Sequence, residues 1–87
     1  MNIEWDSIKA KINQLKHGIA FADVVGVLDD PMALVSDDDS LGEERFQVID
    51  MDGLGRVLAV VFTYRGDAVR LISARRAEGW ERKLYEG

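Results

Sequence analysis

Apolar positions along this chain change their period several times, and each change marks an element. From Ser7 to His17 the residues Ile8, Ile12 and Leu15 recur at spacings of four and three. At 100° per residue they fall within about 60° of one another, which is one face of a helix. Lys9, Asn13, Lys16 and His17 gather on the adjoining arc. Asp6 supplies an N-cap and Gly18 a C-terminal stop, so the pattern predicts a helix over residues 7–17 whose aliphatic stripe enters the core. Ahead of it, Ile3 to Trp5 reads as a short strand or arm. Phe21 to Leu28 reads as a second, shorter helix, ended by Asp29-Asp30-Pro31.

The second half turns to strands. Ala33 to Ser36 is expected as an edge strand, followed by a loop over Asp37-Asp38-Asp39-Ser40-Leu41-Gly42. Arg45 to Met51 alternates Phe46 and Val48 against Ile49 and Met51, and Asp52-Gly53 with Gly55 makes a tight hairpin turn. Val57 to Tyr64 is apolar almost throughout, which places it at the centre of the sheet with both faces covered. A second hairpin through Arg65-Gly66-Asp67 leads into Val69 to Ala74. Arg75 to Tyr85 closes the chain as a helix, with Ala77, Trp80 and Leu84 as its buried stripe and Glu81 and Tyr85 on the border. The expected fold is α+β in one domain over residues 1–87: two N-terminal helices, an antiparallel β-meander of three to four strands, and a C-terminal helix.

Composition narrows the function classes. There is no cysteine among the 87 residues, which excludes disulfide scaffolds, thiolate zinc sites and thiol nucleophiles. The net charge of -5 argues against a polyanionic partner, but the average hides an asymmetry. Residues 29–52 hold nine acids and one base, Arg45, while the remaining 63 residues carry +3. The bases fall in two clusters, Lys9/Lys11/Lys16 and Arg65/Arg70/Arg75/Arg76/Arg82/Lys83, so nucleic acid stays open as a partner. No apolar run approaches the roughly 20 residues of a membrane helix, and Met1 to Asp6 carries two acids where a secretory signal carries bases. A cytoplasmic protein without membrane association is the expectation.

Chemistry-bearing residues are few. Gly53 and Gly55 lead into a strand and do not form a phosphate-binding loop before a helix. The Asp37-Asp38-Asp39 run lacks the alternating ligands and closing Glu of a calcium loop, so it reads as a solvated acidic segment; no metal site and no cofactor is expected. His17, the only histidine, has two readings: a cation capping a helix C-terminus, or a proton-transfer group. Arg75, Glu81 and Tyr85 likewise combine as phosphate clamp, general base and hydrogen-bond donor, or as a salt-bridged helix face.

Six strings then occur in order: EWD (Glu4 to Asp6), KHG (Lys16 to Gly18), GEERF (Gly42 to Phe46), VLAVVFTY (Val57 to Tyr64), ISAR (Ile72 to Arg75) and ER..YE (Glu81, Arg82, Tyr85, Glu86). In this order and at these distances the chain resembles the BrnT family of ribonuclease toxins of bacterial type II toxin-antitoxin systems. The resemblance implies a RelE-like fold and a metal-independent endoribonuclease that cleaves RNA and arrests growth. It also implies neutralisation by a BrnA-type ribbon-helix-helix antitoxin, with operator DNA reached only through that antitoxin, and leaves a homodimer open. Carried onto the motifs, it points to His17, Arg75 and Glu81 as catalytic, with Glu81 or His17 moving the proton and Arg75 on the phosphate. Lys9, Lys16, Arg45, Arg56, Arg70 and Tyr85 are the expected RNA contacts. The acidic segment at 29–52 sets up the alternative: a catalytically degenerate interaction module that only binds a partner antitoxin.

Overall fold

The computed structural model describes residues 2–29, 34–38 and 44–87. Its elements in chain order are β1 (Asn2–Glu4), α1 (Ser7–His17), a 3₁₀ helix (Phe21–Asp29), β2 (Leu34–Asp38), β3 (Arg45–Met51), β4 (Val57–Arg65), β5 (Ala68–Arg76) and α2 (Gly79–Glu86). The expected α+β architecture is present. The acidic run was expected as a loop, yet Asp37 and Asp38 extend β2, paired with Phe46 and Arg45. The expected loop residues from Asp39 to Gly42, and the helix terminator Asp30-Pro31, lie outside the described residues.

The strands form one sheet in the order β1-β5-β4-β3-β2. From β2 to β5 the pairing is the expected antiparallel meander, with the apolar β4 between β3 and β5. What the pattern left undecided is β1, which adds a fifth strand parallel to β5, Asn2 to Glu4 against Ala68 to Arg70. Each hairpin follows from its turn chemistry. Between β3 and β4 the Asp52 carboxylate accepts the N–H groups of Leu54 at 3.0 Å and Arg56 at 2.8 Å. Gly66 opens the two-residue connection of β4 to β5 at φ 58, the conformation a II′ hairpin asks of its first residue.

A β-bulge decides which residues of β5 face which way. Val61 pairs with Ser73 but the next residue, Phe62, pairs with Leu71, so Ile72 is inserted without a partner on β4. The insertion switches the alternation. Val69 and Leu71 before it and Ala74 after it all reach the same core, together with Val48, Leu58, Val60 and Phe62. Ser73 and Arg75 are thereby turned to the opposite face, in register with Gln47, Ile49, Ala59 and Val61.

The main core lies between the first face and the N-terminal helices. Phe21, Val24 and Val27 are all at most 2% exposed, and their spacing of three explains why this segment winds as a 3₁₀ helix. With three residues per turn they stack in a single row, which a 3.6-residue helix would splay. α1 is bounded as expected: Asp6 Oδ1 accepts from Ile8 N at 2.8 Å and Lys9 N at 3.1 Å, and Gly18 ends the helix at φ 72. These bonds also hold the Asp6 carboxyl below its usual range.

Both α-helices correct the expectation about their buried faces. Ile8, Ile12 and Leu15 are 69%, 56% and 82% exposed, and the residue α1 buries is Asn13. In α2, Trp80 and Leu84 are 60% and 59% exposed, and the buried residue is Glu81. The reason is the same in both. The sheet offers each helix polar anchors, an edge peptide at Ala74 for Asn13 and a guanidinium at Arg75 for Glu81, and a buried polar group must take its partner. α2 is also shorter than expected. β5 stays paired with β4 to Arg76, and Ala77 N still donates to Val57 O at 2.9 Å, so Arg75 belongs to the strand.

Candidate active site

α2 is started by a reciprocal capping box, in which Glu78 receives the backbone of the third helical residue, Glu81, and the Glu81 side chain receives the backbone N–H of Glu78 at 2.8 Å. This fixes Glu81 over the sheet face that the bulge gave to Arg75. Arg75 Nη1 donates to Glu81 Oε1 at 2.7 Å and Nη2 to Oε2 at 3.0 Å, an end-on fork. Gln47 Nε2, from β3, donates to Oε2 at 2.8 Å. Four donors thus meet one carboxylate whose side chain is 1% exposed.

The electrostatics follow from the geometry. The Arg75 guanidinium holds the Glu81 carboxyl at about 2 against the opposing effect of burial, with help from the Glu78 N–H and Gln47. Glu81 in turn raises Arg75 above its ordinary value. Such a carboxylate anchors Arg75 and, held this way, is a weak proton acceptor. Arg75 is not used up by it. Nη1 also donates to Arg76 O at 3.2 Å, and among the described residues its Nε–H and the outer Nη2–H carry no hydrogen bond. These two donors lie along one side of the planar group, spaced for two oxygens of one phosphate, and the side chain is 36% exposed.

The second expected cluster is brought together on α1. Lys9, Lys16 and half-buried His17 line a groove of about 180 Å³ with Ile12, Asn13, Ile72 and Ser73. The bulged residues of β5 form its floor, so the groove and Arg75 are served by one strand, Ser73 being two residues before Arg75. Among the described residues no hydrogen bond or ion pair joins His17 to Arg75 or Glu81.

The remaining expected RNA contacts are placed differently. Arg56 is tied into its own hairpin: Nη2 lies 2.7 Å from Asp52 Oδ2 and 3.6 Å from Asp23 Oδ2, and Nε donates to Asp52 at 2.8 Å. Burial alone would raise the Asp52 carboxyl, but the Arg56 N–H, the Arg56 guanidinium and the Leu54 N–H together lower it. Arg70 pairs with Glu4 at 3.1 Å across β5 and β1. Arg45, at the start of β3, and Tyr85, in α2, are half-buried.

The model of the family described as "Ribonuclease toxin, BrnT, of type II toxin-antitoxin system" matches residues 5–81. The chain belongs to the BrnT family. Its fold is similar to the crystal structure of the Brucella abortus ribonuclease toxin BrnT, with a TM-score of 0.76 and 32% identity over 90% of this chain and 97% of that one. Among curated proteins none matches. The BrnT match spans His17, Arg75 and Glu81 and leaves Tyr85 outside. Membership makes this chain a ribonuclease toxin with an antitoxin counterpart.

Asn13 and Gln47 were missed in the sequence, although each left a signal there. Gln47 stands in β3 at the position that alternation assigns to the face of Ile49 and Met51, a polar residue entering a row that turns apolar after it. Asn13 shares one helical arc with Ala10 and His17, the arc that faces the sheet.

Proposed function

We propose that this BrnT-family chain is a metal-independent endoribonuclease of RelE-like fold that arrests growth when free in the cytoplasm and is neutralised by a BrnA-type ribbon-helix-helix antitoxin, through which alone it reaches operator DNA. The observation that carries the RNA chemistry is the Arg75 guanidinium, held rigidly by buried Glu81 yet with a two-donor edge left over. Cleavage forms a bond from the ribose 2′-oxygen to phosphorus and breaks the bond from phosphorus to the 5′-oxygen. The 2′-OH proton passes to a base, and the leaving 5′-oxygen takes up a proton. Arg75 stabilises the charge that develops on the phosphoryl oxygens. His17 is the proton-transfer group, and Lys9 and Lys16 in its groove contact the RNA backbone. Glu81 positions Arg75.

The test is incubation of RNA with the purified chain in EDTA. Products ending in 2′,3′-cyclic phosphate or 3′-phosphate are expected, whereas strict dependence on Mg²⁺ or 3′-hydroxyl ends would overturn the mechanism. One observation favours the second reading, an interaction module without activity: two of the expected RNA-binding arginines, Arg56 and Arg70, are neutralised by carboxylates of the chain itself. A chain that binds its antitoxin but neither cuts RNA nor arrests growth would establish that reading.

A further inference from the structure

The exposed stripe of α1 touches the His17 groove only through Ile12, and neither the sheet nor the Arg75 clamp uses it. Ile8, Ile12 and Leu15 are 69%, 56% and 82% exposed, at positions i, i+4 and i+7 of a helix only eleven residues long. Three large aliphatic side chains in a row on one solvent-facing helix are an interaction surface, not scatter. Their surroundings are charged with one sign. At 100° per residue Lys9 and Lys16 flank the stripe on one side and Lys11 on the other, and no acidic residue occurs between Ser7 and His17. In a chain of net charge -5 this helix is a cationic island.

We propose that this face of α1 is the docking site for an acidic amphipathic helix of the cognate antitoxin. The inference rests on the antitoxin reading above and adds where and with what chemistry the antitoxin binds. The occupant is chosen by elimination on physical grounds. A second copy docking through the same face would bring two lysine fringes together and leave both unneutralised. RNA would find the lysines but no aromatic or guanidinium plane on the stripe to stack against, only branched aliphatic groups. The stripe is on a helix and not at a sheet edge, so a partner cannot add to it as a strand. It must bring its own ridge of apolar side chains spaced to pack between Ile8, Ile12 and Leu15, which is a helix, and carboxylates beside that ridge answer the lysines.

The test compares the wild-type chain with the double variant Ile8→Glu, Leu15→Glu, leaving Ile12 intact because it lines the His17 groove. The probe is the ribbon-helix-helix protein of the adjacent reading frame, titrated against each chain. Both replaced side chains are mostly in solvent and Glu favours helix, so circular dichroism and melting temperature should match wild type. Antitoxin affinity should fall about 100-fold or more, the scale of removing two anchor residues, while RNA cleavage by the free chain is unchanged. Lys11→Glu should weaken binding several-fold at low salt and less at high salt. Equal affinity of wild type and double variant overturns the docking site and leaves the antitoxin partnership standing. Failure of wild type to bind that protein at all overturns both. If the double variant loses RNA cleavage or dissociates a wild-type dimer with its antitoxin affinity intact, RNA or a second copy covers the face and the inference is wrong.

Discussion

Asn13 and Ala74, 61 residues apart in the chain, are joined as two strands would be: the Ala74 N–H donates to Asn13 Oδ1 at 3.0 Å, and Asn13 Nδ2 donates to the Ala74 carbonyl at 2.9 Å. β1 covers the edge of β5 only from Ala68 to Arg70, and Asn13 supplies the missing partner where β1 has ended. The same Nδ2 also donates to Ile19 O at 3.0 Å. One side chain therefore fixes α1 to the sheet and to the link that leads into the 3₁₀ helix, and it orients the face of α1 that carries His17.

Asn13→Ala should destabilise the chain by about 3 kcal/mol, since it leaves an edge N–H and two buried carbonyls without their partner. Asn13→Asp should be at least as damaging, because a carboxylate cannot donate to the carbonyls of Ile19 and Ala74. Urea unfolding measures both. A loss below about 1 kcal/mol for Asn13→Ala would show that water replaces the amide freely.

Acid should weaken the chain through Glu81. Its folded value of about 2 lies below its ordinary 4.5, so the unfolded state takes up the proton first. The stabilisation is complete above the unfolded value, and it is lost as pH falls through the window between about 4.5 and about 2. The difference corresponds to roughly 3 kcal/mol at most, since the partner Arg75 is partly in solvent. Comparing unfolding of wild type and Glu81→Gln across that window isolates the contribution. Parallel curves would mean that the carboxylate is not held as described.

Much of this was legible beforehand, and the failures share a cause. The capped ends of α1, the two hairpins and the central place of β4 follow from local rules that operate within a few residues. The association of Arg75 with Glu81 was legible as a constellation, though not the burial of the carboxylate or the donors from Gln47 and Glu78 that complete its shell. What periodicity misread was the inward face of each helix. An apolar stripe marks a face that avoids water, and a partner protein can cover it as well as the chain's own core. The bulge at Ile72, which sends Arg75 and Ala74 to opposite faces, has no local signature in the sequence ISAR.

Phe62 tests the sheet order. It is 4% exposed in the strand between β3 and β5 and stacks on Phe46 with ring centroids 5.6 Å apart. Phe62→Ala should lower the unfolding free energy by about 3 to 5 kcal/mol, combining lost transfer energy with the cavity left behind. A change under about 1 kcal/mol would mean that this strand is not central.

The division of labour in the site is separable by three variants read as pH–rate profiles. Arg75→Lys keeps the charge but loses the planar fork, so neither the two-bond pairing with Glu81 nor the two-donor edge survives, and cleavage should fall about 10²-fold or more. If His17 transfers the proton, His17→Ala should cost the profile one limb together with a fall of at least about 10² in rate. Glu81→Gln is the discriminating case. If Glu81 only positions Arg75, the whole profile drops while both limbs keep their shape, because no titrating group of the reaction has gone. Glu81→Asp, which retains the charge on a shorter arm, should then recover part of the rate. If the Glu81→Gln profile instead loses its acidic limb while that of His17→Ala keeps both, Glu81 is the base, and the four donors around its carboxylate must release it when RNA binds.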